Sequence, residues 1–267
     1  MKTMILDEIA EKTKIRVEAA KKEISPEAMR KLAEGKEADT GFPFEQELKK
    51  EAMTFICEVK KASPSKGIIA EEFDYLSIAK EYEAAGAGAI SVLTEPDYFM
   101  GNIRYLKQIA GEVSIPLLRK DFTIDEYMIY EAKAAGASIV LLICALLKKN
   151  QLAQYIKLCD SLGLSALVEA HDEVEIAMAT EAGARIIGVN NRNLKDFTVD
   201  IKNGITLRKA VPPDILFIAE SGIRTREDIV ELEQGKVNGV LIGETLMRSS
   251  DKNAMLARLK GVSYGED

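Results

Sequence analysis

Glu58 and Lys60 stand two residues apart in TFICEVKK, residues 54–61, a segment that otherwise reads as a buried β-strand. Side chains in a strand alternate faces, so the two charges share one face while Cys57 and Val59 share the other. The same intrusion recurs along the chain. Lys120 lies in LLRKDF with the parity of Leu118 and Phe122. Glu169 falls near the end of ALVEAH, Asn190 and Arg192 follow IIGV, and FIAESG supplies Glu220, Ser221 and Gly222. VLIGE ends with Gly243 and Glu244. Charges on covered strands are expensive unless they are paired. A set of structural ion pairs is the plain alternative, but buried pairs stabilise weakly and apolar residues often replace them. Two lysines and three glutamates gathered at strand ends suit proton transfer better. Lysines beside other cations would have lowered pKa values and desolvated glutamates raised ones, both moving toward neutral pH.

The elements that must position these residues follow a repeat. EYEAAGAGAISVLTE, YEAKAAGASIVLLICA, AMATEAGARIIGVNN and ELEQGKVNGVLIGE each pass from a helical pattern through small residues into an apolar run. Gly86, Gly136, Gly183 and Gly235 fall where a helix stops, the position of a left-handed glycine cap. They are separated by 50, 47 and 52 residues, room for two βα units each. VSIPLLRKDF, LGLSALVEAH and ILFIAESG supply the intermediate strands, and TFICEVKK comes first. Eight such units predict an α/β fold, a single (β/α)8 TIM barrel, with near-continuous apolar strands covered on both faces. An open doubly wound sheet is the competing fold, but no G-x-G-x-x-G follows any strand. Residues 1–50 precede the first strand and read as a helical extension packed on one 1–267 barrel domain. Pro26 after Ser25 suits a helix start, and GFPF at 41–44 marks a break before EQELKKE.

In this fold the C-terminal strand ends hold the chemistry, which is where the charged residues fall. Gly222 and Gly243, in the loops after strands 7 and 8, predict a phosphate site built from backbone amides. Glu244 would serve there through its amide, with its carboxylate turned away. His171 lies past its strand end and reads as a surface or supporting residue, and Cys57 as core. With 36 basic against 43 acidic residues, the net charge of −7 offers no field for nucleic acid or an anionic membrane. Three widely spaced cysteines and one histidine predict buried free thiols and no metal site. The charged N-terminus does not resemble a signal peptide, and no apolar run is long enough to span a membrane, so a cytoplasmic location is expected.

FICEVKKASPSKGII, PLLRKDF, LVEAH, GVNNRNL, AESGI and LIGETLMR, in that order, resemble the motifs of the indole-3-glycerol phosphate synthase family, and the resemblance covers essentially the whole chain. It implies cofactor-free closure of an indole ring on 1-(2-carboxyphenylamino)-1-deoxyribulose 5-phosphate. By motif, Lys120 would be the general acid, with Glu169 and Lys60 sharing later proton transfers. Glu58, Asn190 and Glu220 would position these groups and the substrate hydroxyls. Ser63, Ser221, Gly222 and Gly243 would line the anionic ends, Arg192 would meet the anionic substrate, and Phe122 would pack near the aromatic ring. The family often has serine where this chain has Glu244. The partner implied is a small anionic sugar phosphate acted on by a monomer or weak homodimer, and no fused isomerase barrel is expected. Bottom-up, a sugar-phosphate isomerase, a Schiff-base aldolase using Lys120, and a silent phosphate-binding barrel compete with this reading.

Overall fold

Runs of branched and apolar residues form the eight strands of the computed structural model, which describes residues 5–192 and 198–263. They are β1 (Thr54–Val59), β2 (Ala89–Leu93), β3 (Leu117–Lys120), β4 (Ile139–Ile143), β5 (Ser165–Ala170), β6 (Ile186–Asn190), β7 (Leu216–Glu220) and β8 (Gly239–Ile242). Each pairs in parallel with its neighbours in chain order, and β1 pairs with β8 to close the barrel. Alternation then sorts the side chains. Ile56, Leu118, Leu141, Leu167, Ile186, Ile218 and Leu241 fill the interior, while Cys57, Val92, Val140, Val168 and Phe217 pack outward under the helices. Cys57, Cys144 and Cys159 are buried free thiols, and burial pushes Cys57 up to about 12.

Six outer helices begin at Asp74, Asn102, Asp125, Asp172, Asp200 and Thr225, whose side chains accept hydrogen bonds from backbone N–H groups two or three residues on. Such caps satisfy donors that a helix start leaves open, and they fix where these six loops end. At the other ends, Gly86, Gly136 and Gly183 take φ of +77°, +96° and +93°. The fourth expected cap is different: Gly235 has φ −73° and Lys236 takes the left-handed turn at +58°. A Cβ on Gly235 would come within 3.4 Å of Ile205 and 3.3 Å of the Leu232 carbonyl, a tight fit in which small size matters more than a left-handed turn.

Three helices precede β1. Helix α1 spans Ile5–Glu23, α2 spans Pro26–Glu34 with Ser25 as its cap, and α3 spans Pro43–Leu48. α3 starts inside the GFPF segment and not after it, because Phe42 turns left-handed (φ +51°) and Pro43 suits a first helical position. The turn drives Phe44 and Leu48, both fully buried, into the barrel interior beside Ile56 and Leu118. Glu45 anchors the same helix from the side, accepting from Arg185 Nη2 at 2.8 Å. A short hairpin, Ala62–Ser63 with Gly67–Ile68, sits in the loop after β1, where no strands were expected. No described helix is long and apolar enough to cross a membrane.

Candidate active site

The register of the barrel places the charged strand ends in one layer. Asn190 lies beside Glu220, Glu169 beside Gly188, and Lys120 beside Leu93. Above that layer opens a cavity of about 390 Å³, within the range of small-molecule sites. Glu58, Lys60, Ser63, Lys120, Phe122, Glu169, Asn190, Arg192, Glu220, Ser221, Gly222, Gly243 and Glu244 all line it. Every site residue expected from the sequence is therefore brought together. For the GVNNRNL motif this covers residues through Arg192; Asn193 and Leu194 lie outside the described residues.

Lys120 occupies the centre. Its Nζ lies 2.9 Å from Glu169 Oε2 and 3.0 Å from Glu220 Oε2. Glu58 and Lys60 form a second ion pair next to it. Two glycines make the room. A Cβ on Gly188 would approach Glu220 Oε1 to 2.5 Å, and one on Gly243 would lie 2.7 Å from Lys60 Nζ and collide with Glu58. Side chains at those strand positions would evict the carboxylates.

The expectation of a lysine with a lowered pKa is corrected here. Burial does press Lys120 downward, but Glu169, Glu220 and Glu58 outweigh it and hold the ammonium above its ordinary range. Carboxylates face this lysine where cations were assumed, so it stays a charged proton donor. The two glutamates are pushed apart. Burial raises Glu169, but Lys120 and His171 overcome it and keep Glu169 ionised. Burial lifts Glu220 to about 7, and Lys120 offsets this only in part because Glu169 and Glu58 repel a further charge. A desolvated carboxyl beside an ionised one is the usual way to bring an acid near neutrality. The stabilising share of a carboxyl raised in this way is fully present below about pH 4.5 and is lost as pH rises through about 7. Glu220→Gln should then gain on the order of 3 kcal/mol relative to the parent between pH 4.5 and 8. Urea unfolding at both pH values measures this, and a constant difference would show that Glu220 does not titrate there.

His171 supports the cluster from the side. Its Nε2 faces Glu169 Oε1 at 3.4 Å, and its Nδ1 lies 3.0 Å from Glu175 Oε2. Burial lowers its pKa, but the two carboxylates prevail and raise it to about 10, so the ring is a cation that orients Glu169.

The opposite side of the cavity is built from the loops after β7 and β8. Ser221 (φ +69°) and Gly222 (φ +85°) are consecutive left-handed residues. A non-glycine residue in that region stores strain. Asn191 holds it in place, donating Nδ2 to the Ser221 carbonyl at 3.1 Å and accepting from Gly204 N at 2.9 Å. Thr245 ties the two loops together through the Ile223 carbonyl at 2.7 Å. The Glu244 carboxylate meets Arg248 Nε at 3.2 Å, Lys66 Nζ at 3.6 Å and Arg192 Nη2 at 3.9 Å, so cations at the rim compensate its charge.

Several lining residues had no signal in the sequence. Ile5, Leu6 and Ile9 of α1 lie over the cavity, and Phe99, from the loop after β2, stands 6.1 Å centroid to centroid from Phe122. Arg248 follows Glu244 by one helical turn, a spacing that could have singled it out. Nothing in α1 shows that its apolar residues face the barrel mouth.

A closed parallel barrel with a lysine–glutamate cluster at the C-terminal strand ends defines the class as a (β/α)8-barrel enzyme. Among solved structures the chain is similar to 3-hexulose-6-phosphate synthase, with a TM-score of 0.65 at 12% identity over 79% of this chain and 100% of that one. The corresponding enzyme from Salmonella typhimurium gives 0.63 at 14% identity, over 78% of this chain and 97% of its own. At these identities the likeness shows the fold alone. Residues 6–259 match the family profile described as indole-3-glycerol phosphate synthase. Curated proteins of that name are similar along nearly their full length. The one from Ruminiclostridium cellulolyticum is 61% identical over 97% of this chain and 99% of its own, and the one from Lachnoclostridium phytofermentans is 50% identical over 97% and 100%. The chain belongs to the indole-3-glycerol phosphate synthase family, carboxy-lyases of tryptophan biosynthesis.

Proposed function

We propose that this site closes the indole ring of 1-(2-carboxyphenylamino)-1-deoxyribulose 5-phosphate with Lys120 as the acid. The observation that carries the assignment is Lys120 Nζ held between Glu169 and Glu220 at 2.9 and 3.0 Å. The ring carbon bearing the carboxylate attacks the ketone carbon, and negative charge develops on the ketone oxygen. A buried ammonium at that oxygen supplies the proton, a contribution of the kind worth about 10²–10⁴-fold. Loss of carbon dioxide restores the aromatic ring. The new hydroxyl then leaves as water with a proton from Lys60, and the Glu169 carboxylate removes a proton from the adjacent carbon to complete the indole.

Phe122 and Phe99 form an apolar wall for the aromatic ring. The phosphate is assigned to the loops carrying Ser221, Gly222, Gly243 and the amide of Glu244, with Arg192 and Arg248 near. Asn190 and Glu58 orient the hydroxyls and the lysines. The protonated state of Lys120 supports this reading over an imine-forming aldolase, which needs a neutral amine nucleophile. The enzyme would work in the cytoplasm as a monomer or weak homodimer, without nucleic acid or membrane.

The test is indole fluorescence on mixing the protein with the substrate, with and without a chelator. The chain has no tryptophan, so a new indole stands on a low background. Signal growth that survives the chelator is expected; a flat trace from folded protein would overturn the reading.

A further inference from the structure

Behind the catalytic lysine lies a buried charge network that the reaction scheme does not use. Asp121, the residue after Lys120, is fully buried on its side chain and receives a two-pronged contact from Arg16 of α1. Nη2 donates to Oδ1 at 2.6 Å and Nη1 to Oδ2 at 2.8 Å. The same carboxylate accepts from Thr94 Oγ1 at 2.5 Å and from the backbone N of Phe122 at 2.8 Å. Arg119, the residue before Lys120, lies 3.4 Å from Asp121 Oδ2 and continues to Glu131 at 2.6 Å and the Met128 carbonyl at 2.7 Å. Thr94 completes the ring: its N donates to the Lys120 carbonyl at 3.1 Å, and its own carbonyl accepts from Arg16 at 3.3 Å.

The backbone N of Phe122 and the carbonyl of Lys120 are therefore each held by a residue that Arg16 touches. Asp121 is held near 2 because Arg16 and Arg119 outweigh the burial that would raise it, so the pair stays charged across the working range. A doubly hydrogen-bonded ion pair with its carboxylate fully buried and its arginine side chain 28% exposed is a weak device for stability but fixes geometry through its two parallel bonds. Arg16 also sits about two to three turns along α1 from Ile9 and Leu6, which roof the cavity.

We infer that Arg16 is a positioning residue for the reaction: through Asp121 and Thr94 it sets the Lys120–Phe122 segment and docks the α1 roof in one step. This rests on the proposed ring closure. Misplacing a catalytic group by about an ångström can cost up to 10²-fold in rate. Arg16→Met is accordingly expected to lower kcat by about 10–100-fold at temperatures well below its melting point, with a smaller rise in KM.

Arg16→Lys keeps the charge but loses the fork, and should retain a kcat between the two. Adding Arg16→Met to Asp121→Asn should cost little further, since the fork is already broken. Lys21→Met is the control. It removes a different α1 tether, the 2.8 Å pair with Asp125, and should leave kcat within about twofold of the parent. Parent-like kcat and KM in Arg16→Met, with only a lower melting temperature, would overturn the positioning role. If that variant does not fold, Arg16→Lys decides: a reduced kcat supports the role and a parental one overturns it. Absence of turnover in the parent would instead sink the ring-closure reading itself.

Discussion

Lys120→Ala is expected to lower kcat by about 10²–10⁴-fold while the barrel stays folded, the range for loss of a positioned general acid. Among the described residues the ammonium's hydrogen-bond partners are Glu169 and Glu220. Its loss leaves two buried carboxylates facing each other. Their repulsion is relieved if Glu220 takes up a proton, so the variant should lose more stability at pH 8 than at pH 5. Single-turnover indole formation and circular dichroism at both pH values test this together. Activity within tenfold of the parent would remove Lys120 from the centre of the mechanism.

Phe44→Ala should have the largest effect on stability, about 3–5 kcal/mol, as for other buried aromatic truncations. Phe44 is fully buried and meets the interior residues Ile56, Leu118 and Leu216 as part of one apolar cluster, at the end of the barrel opposite the charges. The cavity left behind cannot collapse easily, because the strands around it are pinned by their hydrogen-bond register. Urea unfolding gives the free energy. A cost below about 1 kcal/mol would mean that α3 is not the plug it forms in the structure. The same residue matters for truncation: a cut at residue 45 removes both this plug and the α1 roof, so lost activity in that truncation would not separate the two.

The site was legible in the sequence because parity along a strand is a strict rule. Glu58 with Lys60, Lys120, Glu169 and Glu220 stand out as charges inside apolar alternation, and eight repeats tell which end they share. What surrounds each charge was not legible. Whether Lys120 faces cations or carboxylates depends on which strands meet across the barrel mouth, a matter of closure and shear that no local pattern carries. That part of the N-terminal extension caps the mouth was an expectation, but which residues form the roof was not legible, for a related reason. α1 shows an ordinary mixture of apolar and charged residues, and only its docking reveals that Ile5, Leu6 and Ile9 face a cavity. Arg16 and Asp121 are separated by 105 positions, and nothing local marks them as partners. Gly235 misled because small residues at a helix end serve packing as well as left-handed turns, and the two uses look alike in a sequence.

The N-terminal segment grips the barrel at both ends, α1 over the mouth and α3 in the base, and this has a consequence for how the chain folds. Arg16 must wait for residue 121, and Glu45 for residues 165 and 185. These N-terminal contacts thus join residues more than a hundred positions apart. Contacts so distant in sequence slow folding, because the intervening loop must be ordered before they form. A barrel still lacking its plug would expose interior apolar surface at one end while its catalytic end already held its charges.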